Sequence, residues 1–93
     1  MVLEVALLDV TDSEGFAAGY LEARSFPAGA DGCRSVRMTH GIESPQRFVL
    51  LIEWDSVEAH EDFRRSEQFQ AWRAKIGPFF AQPPLVEHFT DVG

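Results

Sequence analysis

The side chains best suited to proton transfer in this chain are its three histidines, His40, His60 and His88. An unperturbed histidine titrates near neutral pH and can act as a general base that removes a proton from a bound molecule. His60 is the strongest candidate, because it lies on the apolar side of a predicted helix, beside Phe63, and can face a pocket. The alternative is a packed histidine that bonds to the backbone or to a neighbouring carboxylate.

The other two histidines have weaker cases as catalytic groups. His88 lies on the predicted last strand between Glu87 and Phe89, which favours a role in the core or in a subunit interface. His40 lies near the end of the predicted second strand, where we expect it to be exposed. The three histidines are too scattered in sequence to suggest a metal site, and a single cysteine, Cys33, excludes zinc sites built from paired cysteines.

Aromatic side chains are concentrated in the second half of the chain. They could form a plain core, as their helical spacing predicts, or the flat wall of a pocket for an aromatic molecule. Arg73 flanks this group, either as a surface side chain that folds over apolar neighbours or as a partner for a phenolate. We expect Tyr20 to close the pocket from the first helix. The predicted binding residues are Tyr20, Trp54, Phe63, Phe69, Trp72 and Arg73.

Four stretches have the composition of strands, at residues 3–10, 33–42, 47–54 and 85–90. The third contains five consecutive apolar residues, FVLLI, without alternation, so both of its faces must be covered. Helices of this chain can cover only one face. A second copy of the chain is the simplest cover for the other, which predicts a homodimer.

Helices are predicted after the first and third strands. Thr11 with Glu14, and Asp55 with Glu58, match the capping pattern of helix starts, and Ser66 is expected to cap a further turn or helix. The element order is then β-α-β-β-α-β, in a single domain of residues 1–93. Two βαβ halves of this kind form an α+β, ferredoxin-like fold with a four-stranded antiparallel sheet and both helices on one face. Pairing of two such sheets gives a dimeric α+β barrel.

Composition excludes several classes of partner. The net charge is -7, from 15 acidic and 8 basic residues, which argues against nucleic acid and against anionic membrane surfaces. No apolar run approaches membrane-spanning length, and the first residues lack the pattern of a signal peptide. Together with the lone cysteine, these features lead us to expect a cytoplasmic protein.

The stretch VLLIEWDSVEAHEDFRRSEQFQAWRAKIGPFF, followed by PLVEHF, resembles the antibiotic biosynthesis monooxygenase family. In that family a strand that ends in Trp leads into a helix with a Ser-x-Glu-Ala-His segment, here Ser56 to His60. The resemblance implies a dimeric α+β barrel with a pocket between helices and sheet in each subunit. Family members include cofactor-free, quinone-forming oxygenases, haem-degrading enzymes and proteins that act on signal molecules.

The resemblance also allows this chain to be compared with the residues that the haem-degrading branch of the family uses. That branch ligates iron with a histidine of the second helix, and Arg73 stands at the matching position. Arginine stays protonated and cannot be an axial ligand. Phe63 replaces the catalytic tryptophan of that branch, and residues 3–10 contain no asparagine. We therefore expect neither haem nor another cofactor, and no metal.

The resemblance and the aromatic residues together suggest a cofactor-independent monooxygenase that acts on a small aromatic or polyketide-like substrate. Such an enzyme needs a base, a way to stabilise the substrate anion and a site that excludes water. His60 is the expected base. A non-oxidative isomerase or cyclase that uses the same pocket, and a dimer that binds a small molecule without turnover, remain open at this point.

Overall fold

A computed structural model of the protein describes all residues, 1–93. Its helices and strands alternate in the predicted order, with one additional short helix after the first. The elements are β1 (Val2–Asp9), α1 (Ser13–Ala23), α2 (Ser25–Ala28), β2 (Cys33–His40), β3 (Arg47–Trp54), α3 (Val57–Arg64), α4 (Glu67–Ile76), a 3₁₀ turn (Gly77–Phe79) and β4 (Leu85–Phe89).

The four strands form one antiparallel sheet in the order β2-β3-β1-β4. This is the predicted α+β, ferredoxin-like arrangement, and the helices lie on one face of it. The register places Val2 of β1 opposite Trp54 of β3, and Glu4 of β1 opposite His88 of β4. Residues that are distant in sequence therefore meet at one end of the two central strands.

Two helices, α1 and α3, are capped by the residue that follows the predicted cap. Asp12, not Thr11, accepts the N–H of Gly15 at the start of α1. The Thr11 hydroxyl instead donates to the carbonyl of Phe79, because the chain just after β1 still pairs with this segment, through a bridge between Val10 and Phe80. Ser56 rather than Asp55 caps α3. Ser66 caps α4 as predicted, through the N–H of Phe69.

The core lies between the helices and the inner face of the sheet. Alternate residues of β1 and β3 point inward and are buried, as period-two alternation requires. Gly19 allows α1 to approach α4 closely, because a Cβ at that position would lie 2.8 Å from the carbonyl oxygen of Lys75. The close packing of α1 at this position is thus against a helix, α4.

The outer face of the sheet carries no helix. Its central part is formed by apolar side chains of β1 and β3, and exposed Leu85 and Phe89 continue it on β4. The apolar residues of this face are Leu3, Val5, Leu7, Val49, Leu51, Leu85 and Phe89. No helix is long and apolar enough to cross a membrane.

Candidate functional site

A cluster of four polar or aromatic side chains lies under α3, at the end of the sheet where β1 begins. Glu4 and His88 face each other on β1 and β4, and both point toward the helices. Trp54 ends β3, and His60 lies one turn into α3. The immediate start of α3 after β3, fixed by the Ser56 cap, brings His60 back over Trp54.

The contacts within the cluster are specific. Trp54 donates its indole N–H to Glu4 Oε1 over 2.9 Å, and His60 Nε2 lies 3.3 Å from the same oxygen. The opposite ring nitrogen of His60, Nδ1, is 2.7 Å from Nε2 of His88. The rings of Trp54 and His60 stack at 5.1 Å and 15°. Three titratable side chains thus form one row, Glu4 to His60 to His88.

Burial favours the uncharged forms of the two inner members of this row. Glu4 and His60 are only 5% and 4% exposed. Burial raises the pKa of Glu4 above its usual value, although the hydrogen bond from Trp54 and the charge of Arg64 act in the opposite direction. Burial, with the charges of His88 and Arg64, lowers the pKa of His60 to about 4. His60 is therefore neutral at neutral pH.

A proton added to this row can reside at either end. When the proton is on Glu4, the carboxyl group donates to Nε2 of His60, and Nδ1–H of His60 donates to Nε2 of His88. When the proton is on His88, Nε2–H of His88 donates to Nδ1 of His60, and Nε2–H of His60 faces an ionised Glu4. The two arrangements differ only by a shift of two hydrogens along the row, and His60 is neutral in both. The geometry therefore suits proton transfer between the buried Glu4 and the half-buried His88.

A cavity of about 150 Å³ opens beside this cluster, between the inner face of the sheet and α4. Glu4 and His60 are its polar end, and most of the remaining wall is apolar. Glu4 Oε1 contacts Trp54 and His60, and Oε2 has no bonded partner within the chain. Because no enclosed side-chain nitrogen or oxygen lacks a partner, Oε2 keeps some accessible surface, and Glu4 is one of the residues that line the cavity. The apolar wall consists of Ala6, Leu8, Leu50, Phe69, Trp72, Ile76, Phe80, Pro84 and Val86.

Two arginines also line the cavity. Arg64 acts electrostatically on both Glu4 and His60. The Arg73 guanidinium carbon lies 5.9 Å from the ring centre of Phe69 and 5.6 Å from that of Phe80. The lining thus contains two cationic side chains and one carboxyl group, in a protein whose net charge is -7. This cavity attracts negative charge more than the rest of the surface does.

Two histidines and a carboxylate are also the composition of one class of iron site. In such a site all three side chains point at one ion. Here His60 uses opposite ring nitrogens toward Glu4 and His88, so the three side chains do not converge on a point. No other group of histidine, cysteine, aspartate and glutamate side chains is placed to hold a metal ion either.

A larger, more open cleft of about 570 Å³ lies on the other side of α3. Its rim is acidic, with Asp31, Asp55, Glu58 and Asp62, and it contains no histidine. These exposed carboxylates have no base or buried polar group among them. The smaller cavity, which does contain such groups, is therefore the candidate site.

The predicted site residues form two groups, those that line the cavity and those that pack behind the lining. The predicted base, His60, and three of the predicted binding residues, Phe69, Trp72 and Arg73, line the cavity. Three others lie behind that wall: Tyr20 packs edge-on against Trp72, Trp54 stacks on His60, and Phe63 lies between Trp54 and Phe69.

The third histidine lies far from this site. His40 is exposed, stacks on Phe48 and contacts the carbonyl oxygen of Pro45 at 2.6 Å. It lies at the opposite end of the sheet and does not line the cavity that Glu4 and His60 line.

Glu4 was missed by the sequence analysis, and the contact of His88 with His60 was not foreseen. A signal for Glu4 was present: it shares the alternation of Ala6 and Leu8, whose side chains face the core. An acidic residue in such a row needs a buried partner, which points to a site. The pairing of Glu4 with His88 depends on the register of β4, which the sequence does not reveal.

Comparisons with known proteins agree on one family. Residues 1–75 match the family model described as antibiotic biosynthesis monooxygenase. The uncharacterized protein YczJ of Bacillus subtilis strain 168 is 33% identical over 95 residues, which span 99% of this chain and 100% of that protein.

Solved structures agree as well. A "putative antibiotic biosynthesis monooxygenase" of Bordetella bronchiseptica is 39% identical, with a TM-score of 0.94 over 98% of this chain and 96% of that one. SnoaB, a cofactor-independent oxygenase of Streptomyces nogalater, has a TM-score of 0.83 over 97% of this chain and 91% of that one. At 14% identity the likeness to SnoaB shows a shared fold only.

Proposed function

The chain belongs to the antibiotic biosynthesis monooxygenase family, and on that premise we propose that it is a cofactor-independent monooxygenase of small, single-ring phenols. The observation that carries this proposal is the cavity beside Glu4 and His60, whose wall is mostly apolar and whose polar groups are these two proton acceptors and the two arginines, Arg64 and Arg73. Such a cavity matches a flat, apolar molecule with one acidic hydroxyl group.

The size of the cavity narrows the substrate class. An apolar cavity of roughly 150 Å³ is large enough for a benzene-sized ring. This cavity has about that volume, so it suits one ring better than the several fused rings of a polyketide. Phe69 and Trp72 supply flat walls on the α4 side, where stacking on a phenol ring is favourable.

The reaction needs no cofactor if the substrate itself supplies the electrons. Removal of the phenolic proton gives a phenolate, which passes one electron to O₂. The resulting phenoxyl radical and superoxide combine at a ring carbon, and the peroxide takes up a proton. Loss of the ring C–H proton with cleavage of the O–O bond gives a quinone and hydroxide, which is protonated to water. The sum is phenol plus O₂ to quinone plus water.

Glu4 is the base in this proposal, and His60 is the relay. Glu4 lines the cavity with an oxygen, Oε2, that has no partner within the chain, and its pKa is raised, so the carboxylate is a stronger base than an exposed one. His60, whose pKa is lowered to about 4, is a weak base by itself. The protonated carboxyl group turns so that its proton lies on the oxygen that faces His60 Nε2. His60 accepts this proton and releases its Nδ1 proton to His88, 2.7 Å away, which restores the carboxylate before it removes the ring C–H proton.

Arg64 and the buried wall complete the proposed site. Arg64 is a cation whose charge acts on both Glu4 and His60, and the same charge stabilises a phenolate formed beside Glu4. The apolar wall keeps water away from the radical pair. Trp54 and Phe63 act from behind this wall by fixing the positions of His60 and Phe69.

The protein acts as a homodimer in this proposal, through the outer face of the sheet. Leu85 and Phe89 are 59% and 48% exposed in the single chain, next to the apolar rows of β1 and β3. A continuous apolar face without a helix is unfavourable in water, and a second copy covers it symmetrically. This buries the outer side of the strands that carry Glu4 and His88.

The test of the reaction is incubation of single-ring phenols with the protein under isotopically labelled oxygen. We expect one labelled oxygen atom in the quinone, one O₂ consumed per quinone and no hydrogen peroxide. Oxidation without label in the quinone, or with peroxide as product, would contradict monooxygenation, because a simple two-electron oxidation gives those results.

A further inference from the structure

The Arg73 side chain forms no ion pair or hydrogen bond within the chain, although the protein has a net charge of -7. The chain has 15 acidic residues, and the arginines in ion pairs are Arg34, Arg47 and Arg65. Arg73 instead lies over the faces of Phe69 and Phe80, which hold its planar group in place by cation–π contacts. Arg73 is an exposed residue that contributes to the lining of the cavity, and none of its guanidinium N–H groups is bonded within the chain.

Arg73 and Glu4 are separate charged groups in the lining of the cavity, on α4 and β1. Along β1 the lining residues are Glu4, Ala6 and Leu8, and Phe80 bridges to the next inward residue, Val10. Because a strand rises roughly 3.3 Å per residue, the backbone of Glu4 and that of Leu8 are about 13 Å apart. A ring bound along this wall directs its hydroxyl group at Glu4 and a substituent in the meta position toward Arg73, which leaves the para carbon free for oxygen.

We infer that the substrate carries a carboxylate on its ring, which Arg73 binds at the mouth of the cavity while the hydroxyl group meets Glu4. This inference rests on the proposed function, since it names the second substituent of the same phenol. A planar guanidinium binds a carboxylate in a two-point contact, and stacking on Phe69 and Phe80 orders it in advance. Hydroxybenzoates are the class that fits.

A purely structural role for Arg73 gives a different expectation. In that role the side chain only shields Phe69 and Phe80 from water, and the charge of a ligand does not matter to it. The two roles are separated by comparing ligands of equal shape and different charge.

The experiment is a calorimetric comparison of 3-hydroxybenzoate with 3-hydroxybenzamide, which has the same shape without the charge. We expect the benzoate to bind the wild-type protein roughly tenfold more tightly or better, since a contact with an ion is worth more than one with a neutral group. Arg73→Gln should remove this preference, and Arg73→Lys should keep part of it. Arg65→Gln, which removes a cation outside the cavity, should leave it unchanged.

Each outcome is decisive. Equal binding of the two ligands to the wild type, or a preference that survives Arg73→Gln, overturns the carboxylate inference and leaves the monooxygenase proposal untouched. Binding of neither ligand overturns the inference and also removes support for the cavity as the site. A benzoate preference that depends on Arg73, without quinone formation under oxygen, supports anion recognition and contradicts the proposed reaction.

Discussion

Glu4 and Trp54 are 50 positions apart in the chain and are joined by a buried hydrogen bond of 2.9 Å. The bond exists because β1 and β3 pair antiparallel and place Val2, two residues before Glu4, opposite Trp54. It gives the buried carboxyl group a permanent donor and leaves its second oxygen without a partner within the chain. The fold thus places an acidic group in the core without isolating it.

Loss of this donor should destabilise the fold. Trp54→Phe keeps an aromatic ring against His60 but removes the N–H from a buried acceptor, at a cost of about 1–3 kcal/mol in addition to that of the lost volume. Trp72→Phe is the matched control, because Trp72 is also buried but lies on the cavity wall. We expect urea unfolding to show the larger loss for Trp54→Phe. Equal losses would mean that the hydrogen bond contributes nothing.

The lowered pKa of His60 predicts a pH dependence of stability. An unfolded histidine takes up a proton near pH 6.5, whereas folded His60 resists until about pH 4, so acid favours the unfolded chain in between. Stability from this source is present above pH 6.5 and is lost as the pH falls toward 4. Glu4 acts in the opposite sense, because its raised pKa lets the folded state bind a proton first.

The variant His60→Gln separates the contribution of His60 to this pH dependence of stability from the contribution of Glu4. His60→Gln cannot take up a proton, so its unfolding free energy should fall less than that of the wild type between neutral pH and pH 4, by up to about 3 kcal/mol. His40→Gln, at an exposed site, should retain the wild-type pH profile. Parallel profiles for the wild type and His60→Gln would show that the folded protein does not hold His60 neutral.

Filling the cavity should abolish ligand binding without unfolding the protein. Ala6 is buried and lines the cavity between Glu4 and Leu8, so Ala6→Leu places its added carbons in open space. Ala74→Leu adds the same carbons at an exposed position of α4. Calorimetry with 3-hydroxybenzoate should show binding to Ala74→Leu and none to Ala6→Leu. Circular dichroism should show that both variants are folded, and retained binding in a folded Ala6→Leu would place the ligand elsewhere.

The homodimer is tested by a charge on the outer face of the sheet. The wild-type protein should have twice its chain mass of 10.4 kDa in light scattering, and Leu51→Arg should reduce this to the mass of one chain. Leu21→Arg changes an exposed leucine on the helical side, 64% exposed, and should leave the dimer intact. A wild-type protein that is monomeric at micromolar concentration would contradict the proposed assembly.

The fold could be predicted from sequence because the strongest patterns were local. The run at residues 48–52 and the helix that follows it at once fix β3 as Arg47–Trp54 and the start of α3. The exact caps could not be predicted, since Thr11 and Asp12 are both good capping residues and the choice depends on where β1 ends. The short helix α2 also escaped prediction, because it contains Pro27.

The site was only partly predictable for a different reason. His60 stood out because helical periodicity places it beside Phe63 on a buried face. Glu4 and His88 become partners through the pairing of β1 with β4, the first and last strands, and this register has no local signal. The division between cavity wall and supporting core likewise depends on tertiary packing, which puts Trp72 in front of Tyr20.

In the proposed reaction, Glu4 removes the proton that starts the reaction with oxygen. The most direct measurement is the rate of quinone formation from single-ring phenols by Glu4→Gln beside Glu58→Gln, which changes an exposed carboxylate of α3. We predict a loss of roughly a hundredfold or more for Glu4→Gln in a folded protein and a wild-type rate for Glu58→Gln. Equal quinone formation by the wild type and a folded Glu4→Gln would contradict the account.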